Sequence, residues 1–336
     1  MEHSNPTFTD TNNTGAWRAR RVLLWGAVLT ATLVAPSIAS AADTVVVPDA
    51  AAEQVTALDG TIVWVSGTYG KQTLWQQTAG GVARVKGAPE AVLYNSIDLG
   101  RNTKNKLVLT YQRCGAGSCK MLNDDLKGHR RSFRNLTLKR CKLATAPARW
   151  RSRSAYGLSC TTSNNQVDEG RSGLYVKTGS KAPKRLPRPA DARKFHITAI
   201  TMVDLRGTYV SAVIADNYQY AFVQTTSGKS KRSIFSAASE GDSDEHTLGL
   251  ALGAGGTMWA LTQAEHSGDP NLTVIFRASR TCYDRERLFS PINSASGVGI
   301  FRARDIAVDG PTVYLVVPGT GIVTHEFAAV GDCTPL

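Results

Sequence analysis

The chain has 336 residues, 42% of them hydrophobic, with 39 Lys and Arg against 27 Asp and Glu, a formal charge of +12. That length and apolar content bury a substantial core and exclude a chain too small or too polar to fold, while allowing two or three domains. The basic balance favours acidic partners or surfaces and says nothing about the fold.

In chain order, Arg18, Arg20 and Arg21 precede an uncharged run from Val22 to Ala35, Pro36 breaks it, and Ala39-Ser40-Ala41 offers an A-x-A cleavage site. Residues 1–41 are therefore predicted as an export signal, with the exported chain starting near Ala42. The run is about 14 residues long, short of the roughly 20 a spanning helix needs, so no transmembrane domain is expected in the mature chain. Arg20-Arg21 followed by Val22, Leu23 and Leu24 is similar to a twin-arginine signal, and the choice of export route stays open.

From Val55 a pattern recurs: an alternating apolar segment, a turn with Gly or Asp, then a strand rich in β-branched and aromatic residues. It starts at Val55, Ser96, Ala146, Ile200, Leu248 and Asp305, with turns near Gly60, Asn105, Ser152, Gly207, Gly256 and Gly310, spaced 45, 47, 55, 49 and 54 residues apart. That period suits a four-stranded propeller blade. Two further strands follow several copies, as at Thr73 to Gln77 and Val82 to Val85, and helical periodicity is nearly absent. The predicted fold is all-β: one domain over residues 42–336, a six-bladed β-propeller of four-stranded antiparallel blades, each hiding its faces against the next. The sixth copy runs out of sequence after Ile322 to Phe327, and the spare segment Thr44 to Val47 is expected to supply its outermost strand.

Six cysteines, Cys114, Cys119, Cys141, Cys160, Cys282 and Cys333, read as three disulfides in an oxidising compartment. A zinc site would want tight Cys-x-x-Cys pairs, and the only close pair here is Cys-x4-Cys without a matching partner. Cys114 and Cys119 stand at opposite feet of one hairpin and are paired; Cys282 with Cys333 and Cys141 with Cys160 are the expected longer bridges. Six cysteines allow 15 connectivities, so the longer pairings stay open.

The stretch DLGRNTKNKLVLTYQRCGAGSCKMLNDDLKGHRRSF, Asp98 to Phe133, resembles secreted bacterial TolB-like β-propeller proteins, with Asp-x-Gly, a strand, Tyr-x-x-Cys, a Cys hairpin and a basic outer strand. The resemblance extends loosely over residues 44 to 333. It implies a six-bladed propeller used for binding or scaffolding, and it carries no catalytic motif onto any residue here.

Charge is uneven. Between Arg101 and Lys194 stand 23 Lys and Arg against five acids, whereas the rest of the exported chain has 13 against 20. Blades two and three thus form a basic sector, with Arg130, Arg131, Lys139, Arg140, Arg149 and Arg151 as expected ligand-binding residues. The bland alternative is a solvated outer face; the clustering favours an anionic cell-envelope polymer or a protein partner. Specific nucleic-acid recognition is not expected, for want of a motif and because of export.

Asn95, His196, His246 and Asp305 begin inner strands and are expected at one mouth of a central channel. There an extracellular hydrolase or lactonase-like site with a metal or small ligand is the rival reading, though no spacing fixes their convergence and no metal or cofactor is assigned. Asp59, Asp204 and Asp309 are read as turn residues. No G-x-S-x-G, HExxH or phosphate-binding Gly loop is present. The expectation is a secreted or envelope-associated, monomeric, non-catalytic binding protein.

Overall fold

Strands account for nearly all regular structure in the computed structural model, which describes residues 43–115, 118–133, 136–189, 199–215, 219–228, 231–237, 244–266, 269–279, 282–288, 302–327 and 334–335. The expected export signal lies outside these residues. Strand β1 (Thr44–Val47) is followed by a first antiparallel sheet of β2 (Ala52–Leu58), β3 (Thr61–Thr68), β4 (Lys71–Thr78) and β5 (Gly81–Arg84). The turn from β2 to β3 is Asp59-Gly60, at φ 54° and 71°. This left-handed pair matches the twist of the flanking strands, and a hairpin therefore forms where the sequence has Asp-Gly.

The next strands form one nine-stranded sheet with two limbs. The first limb is β6 (Leu93–Arg101), β7 (Leu107–Gly115), β8 (Ser118–Asp124) and β9 (Arg130–Ser132). The second is β10 (Cys141–Leu143), β11 (Ala148–Trp150), β12 (Arg153–Cys160), β13 (Gly173–Thr178) and β14 (Lys184–Arg185). β10 and β11 pair the same edge of β12 in succession, so they are one inner strand interrupted at 144–147. The limbs meet where Trp150 pairs Arg101 in parallel, with Arg151 N donating to Arg101 O at 2.6 Å. Gly100 makes this approach possible, because a Cβ there would overlap the carbonyl oxygen of Arg149.

Then come a sheet of β15 (Ala199–Arg206), β16 (Tyr209–Ala215), β17 (Gln219–Thr225) and β18 (Lys231–Ala237), and a sheet of β19 (Asp244–Leu252), β20 (Met258–His266), β21 (Asp269–Ala278) and β22 (Cys282–Leu288). A two-residue strand, β26 (Thr334–Pro335), pairs the outer edge of β22. The last sheet is β23 (Asp305–Asp309), β24 (Thr312–Val317) and β25 (Gly321–His325), completed by β1.

Inner strands touch in a closed cycle: β2 against β6, β6 against β11, β11 against β15, β15 against β19, β19 against β23, and β23 against β2. Apolar clusters lie between successive sheets. One joins Leu58, Val63 and Leu74 to Leu99, Leu109 and Tyr111; another joins Val55 and Trp64 to Ala307, Val316 and Ile322. This is why β3 and β7 are buried over runs of five consecutive residues rather than alternately: sheets cover both of their faces. The fold is thus an all-β propeller of four-stranded antiparallel blades. Hydrogen bonding does not divide it into six separate sheets as expected: four sheets stand alone, and the limbs of the fifth are fused through Trp150 and Arg101. The expectation for β1 is met, with Thr44 opposite Thr324 and Val45 opposite Val323.

Two disulfides, Cys114–Cys119 and Cys141–Cys160, join directly opposed residues of neighbouring strands, as anticipated. Cys333 lies outside the described residues, so the expected Cys282–Cys333 bridge does too; β26 brings the following residues, Thr334 and Pro335, to the β22 edge beside Tyr283 and Cys282.

Candidate anion-binding cleft and central channel

The inner strands enclose a central cavity of about 580 Å3. Three carboxyl groups from alternate inner strands line it: Asp98 on β6, Asp204 on β15 and Asp305 on β23. Each accepts a backbone N–H from the inner strand that follows in the ring. Arg149 N lies 3.3 Å from Asp98 Oδ2, Leu252 N 2.6 Å from Asp204 Oδ2, and Val55 N 2.9 Å from Asp305 Oδ2. Asp204 and Asp305 also accept the N–H of their own successors, Leu205 at 2.5 Å and Ile306 at 2.9 Å. These carboxyls therefore act as joints between strands that share almost no ladder bonds.

Asp98 and Asp204 are neighbours in the cavity wall and act on each other electrostatically. Burial raises both above the usual carboxylate range, and for Asp98 the neighbouring Asp204 charge adds to burial. Burial also pushes Asp305 up to about 7, against the pull of its two N–H donors. Arg206 spans the inner-turn end of the cavity, donating to Leu252 O and Val308 O at 3.2 Å each, with Asp309 Oδ1 3.5 Å away.

A second concavity, a cleft of about 790 Å3, lies between β9 of the first limb and β11–β13 of the second. Arg130, Arg131, Arg149 and Lys177 line it. Side chains alternate along β9, which divides the work of its arginines. Arg130 is engaged by its own limb, with Nε 3.8 Å from Oδ2 of the buried Asp124. Arg131 is exposed, while Arg149 is half-buried and donates from Nε to Arg151 O at 3.4 Å. Neither Arg131 nor Arg149 has an acidic partner among the described residues. Burial and the guanidinium of Arg131 both push the Arg149 pKa below its ordinary value. A desolvated cation beside a like charge is relieved by an anion placed between them.

Of the six basic residues expected to bind ligand, Arg130, Arg131 and Arg149 thus share one cleft. Lys139 and Arg140 are exposed in the turn before β10, and Arg151 is exposed in the turn from β11 to β12; none of these three lines it. Of the four expected at the channel mouth, Asn95 and Asp305 line the central cavity, Asn95 donating to Gln112 Oε1 at 2.8 Å. His196 and the side chain of His246 lie outside the described residues, although His246 pairs Gln263 within the β19–β20 ladder. Asp204 is not the turn residue expected: it sits within β15 and faces the cavity. Asp98 and Lys177 carry no local signal in the sequence for the cavity and cleft they line, because the ring and the limb junction decide what they face. Among the described residues no group of three or more His, Cys, Asp or Glu is arranged to hold a metal ion, and no helix is long and apolar enough to cross a membrane.

The topology defines a β-propeller, and solved structures similar in fold include others of that kind. No family model and no curated protein matches the chain. PorZ, a surface component of the type-IX secretion system of Porphyromonas gingivalis, shares 12% identity over 86% of this chain and 40% of its own, with a TM-score of 0.43. A puromycin hydrolase shares 13% over 85% and 56%, with a TM-score of 0.46. A putative TolB from Agrobacterium tumefaciens shares 13% over 53% and 61%, with a TM-score of 0.35. The chain spans less than two thirds of each of these proteins.

Proposed function

We propose that the protein is an exported, non-catalytic binding or scaffold propeller that holds an anionic polymer of the cell envelope in the cleft between its fused limbs. The single observation that carries this reading is the pairing of Arg131 with the half-buried Arg149 in one cleft, without an acidic partner among the described residues. Counting each limb of the nine-stranded sheet as a blade gives a six-bladed ring closed by β1. Residues 1–41 serve as the export signal, and two disulfides suit the oxidising compartment beyond it. Cys282–Cys333 is the third bridge, and the chain acts as a monomer.

Binding of the oxidised protein to soluble anionic polymers over a salt series tests the reading. Affinity falls steeply with salt if released counterions drive association, and affinity independent of salt refutes it. Arg131→Ala and Arg149→Ala should each weaken binding about tenfold, in the range of a charge-assisted contact.

The second reading, an extracellular hydrolase using the channel, draws on Asp305, whose carboxyl is held near neutrality in an accessible cavity. It requires a hydrolytic activity that Asp305→Asn abolishes while the fold survives; ester, lactone and glycoside substrates all left intact by the wild type would remove it.

A further inference from the structure

We infer that the cleft selects phosphate esters, so that the polymer it holds is a phosphodiester-linked polyol or sugar chain; this rests on the anion-binding reading above. Three hydroxyl-bearing residues, Thr103, Ser152 and Ser154, line the same cleft as Arg131 and Arg149, neither of which has an acidic partner among the described residues. A carboxylate offers about four acceptor sites on two oxygens in one plane, which one guanidinium fork and one or two further donors fill. A phosphodiester spreads its charge over two non-bridging oxygens and adds two bridging acceptors, so two guanidinium groups and flanking hydroxyls can engage it together. The arrangement therefore has more donors than a carboxylate can use and a number a phosphodiester can.

Size and shape extend the argument from an ion to a chain. A cleft of about 790 Å3 is far larger than one phosphate and lies within the range that encloses a ligand of several rings or units. Its lining is polar apart from Phe133 and Leu136, of which Leu136 is buried, so it lacks the protruding apolar face by which a protein enters a bilayer surface. A soluble phosphodiester chain fits a concave, hydroxyl-lined wall better than a lipid headgroup fixed in a membrane plane.

The test compares poly(glycerol phosphate) with polygalacturonate of matched charge and length, at one ionic strength, using the full oxidised protein. The expected result is at least tenfold tighter binding of the phosphodiester chain, with the preference lost in Arg149→Ala and Arg131→Ala and kept in Lys71→Ala on the first sheet. Circular dichroism and thermal melts confirm that each variant is folded. Ser152→Ala with Ser154→Ala, which keeps both arginines, should narrow the preference severalfold while leaving polygalacturonate affinity unchanged. Equal affinity for the two polymers overturns phosphate selectivity and leaves anion binding standing. Failure of both to bind at low salt overturns the anion-binding reading itself, and binding to anionic phospholipid vesicles but not to soluble poly(glycerol phosphate) overturns the assignment to a polymer.

Discussion

Nδ1 of His325, at the end of β25, lies 2.7 Å from Oδ1 of Asp43, 282 residues earlier in the chain, and its Nε2 lies 2.9 Å from Oε2 of Glu286 on β22. The imidazole is 6% exposed. Protonated His325 donates from both ring nitrogens and ties the N-terminal strand, the closing sheet and the preceding sheet together. Thr324 Oγ1 adds a bond to Thr44 O at 3.2 Å, and Trp64 Nε1 one to Asp49 Oδ2 at 2.8 Å. Gly321 lets β1 come close, since a Cβ there would overlap Val47 O. The non-covalent seam of the propeller is therefore partly ionic.

That seam should loosen in alkali. Burial alone would lower the His325 pKa, but the hydrogen bonds from Asp43 and Glu286 outweigh it and raise the group to about 9. A histidine raised in the folded state stabilises fully below its unfolded pKa of roughly 6.5, and that contribution fades as pH rises through the folded value. Urea unfolding between pH 6 and 10 should lose roughly 3 kcal/mol across this window. His325→Gln should be destabilised by about 3 kcal/mol at pH 6, as for a broken buried ion pair, and be nearly flat above pH 7. A wild-type curve equally flat over that range would refute the ionic seam.

The channel carboxyls act in an earlier window. Asp305 is raised to about 7 and Asp98 well above its ordinary value, so the folded chain holds protons that the unfolded chain releases near pH 4. Their stabilising contribution is whole below that pH and is lost as pH rises toward 7. Asp305→Asn keeps the shape without the titration: it should cost about 1 kcal/mol at pH 4.5 for one imperfect N–H bond, and match or exceed the wild type at pH 8. Thermal melts of both proteins at the two pH values decide it, and a constant difference between them would refute the prediction.

What the sequence disclosed and what it hid follow one physical division. Asp59-Gly60, the Cys114 hairpin and the spare strand Thr44 to Val47 are local signals, and each forms the element it specifies. The basic clustering falls on the two limbs that bound the cleft. It could not separate Arg149, paired opposite Ser154 in β11 and lining the cleft, from Arg151 two residues on, in the solvent-facing turn after the strand ends at Trp150. Asp98, Asp204 and His325 were hidden because their partners lie 39 to 282 residues away, across faces that exist only once the ring has closed.

Gly100 offers a test of the limb junction independent of charge. Its Cα faces the carbonyl of Arg149, and any Cβ would push β11 away from β6. Gly100→Ala should cost about 1 to 3 kcal/mol, the usual range for overpacking. Because Arg149 is displaced, the variant should also bind polyanions several times more weakly without any change in charge. A loss of stability with unchanged affinity would separate the junction from the cleft.

The Cys141–Cys160 bridge reaches the same cleft from behind. Both cysteines are buried with Tyr156, Leu158 and Tyr175 in a cluster that includes Leu136, and Leu136 lines the cleft wall. Cys114–Cys119, with a sequence separation of 5 against 19, stands on a hairpin away from that wall. Loop-closure entropy assigns about 2 kcal/mol to the short bridge and about 3 kcal/mol to the longer one. Replacing Cys141 and Cys160 together by alanine should therefore lower stability more than the same change at Cys114 and Cys119. Only the first pair should also weaken polyanion binding, since only it holds the wall in place. Denaturant midpoints and binding isotherms on the two double variants provide the comparison, and equal affinity losses in both would show that the bridges act on global stability alone.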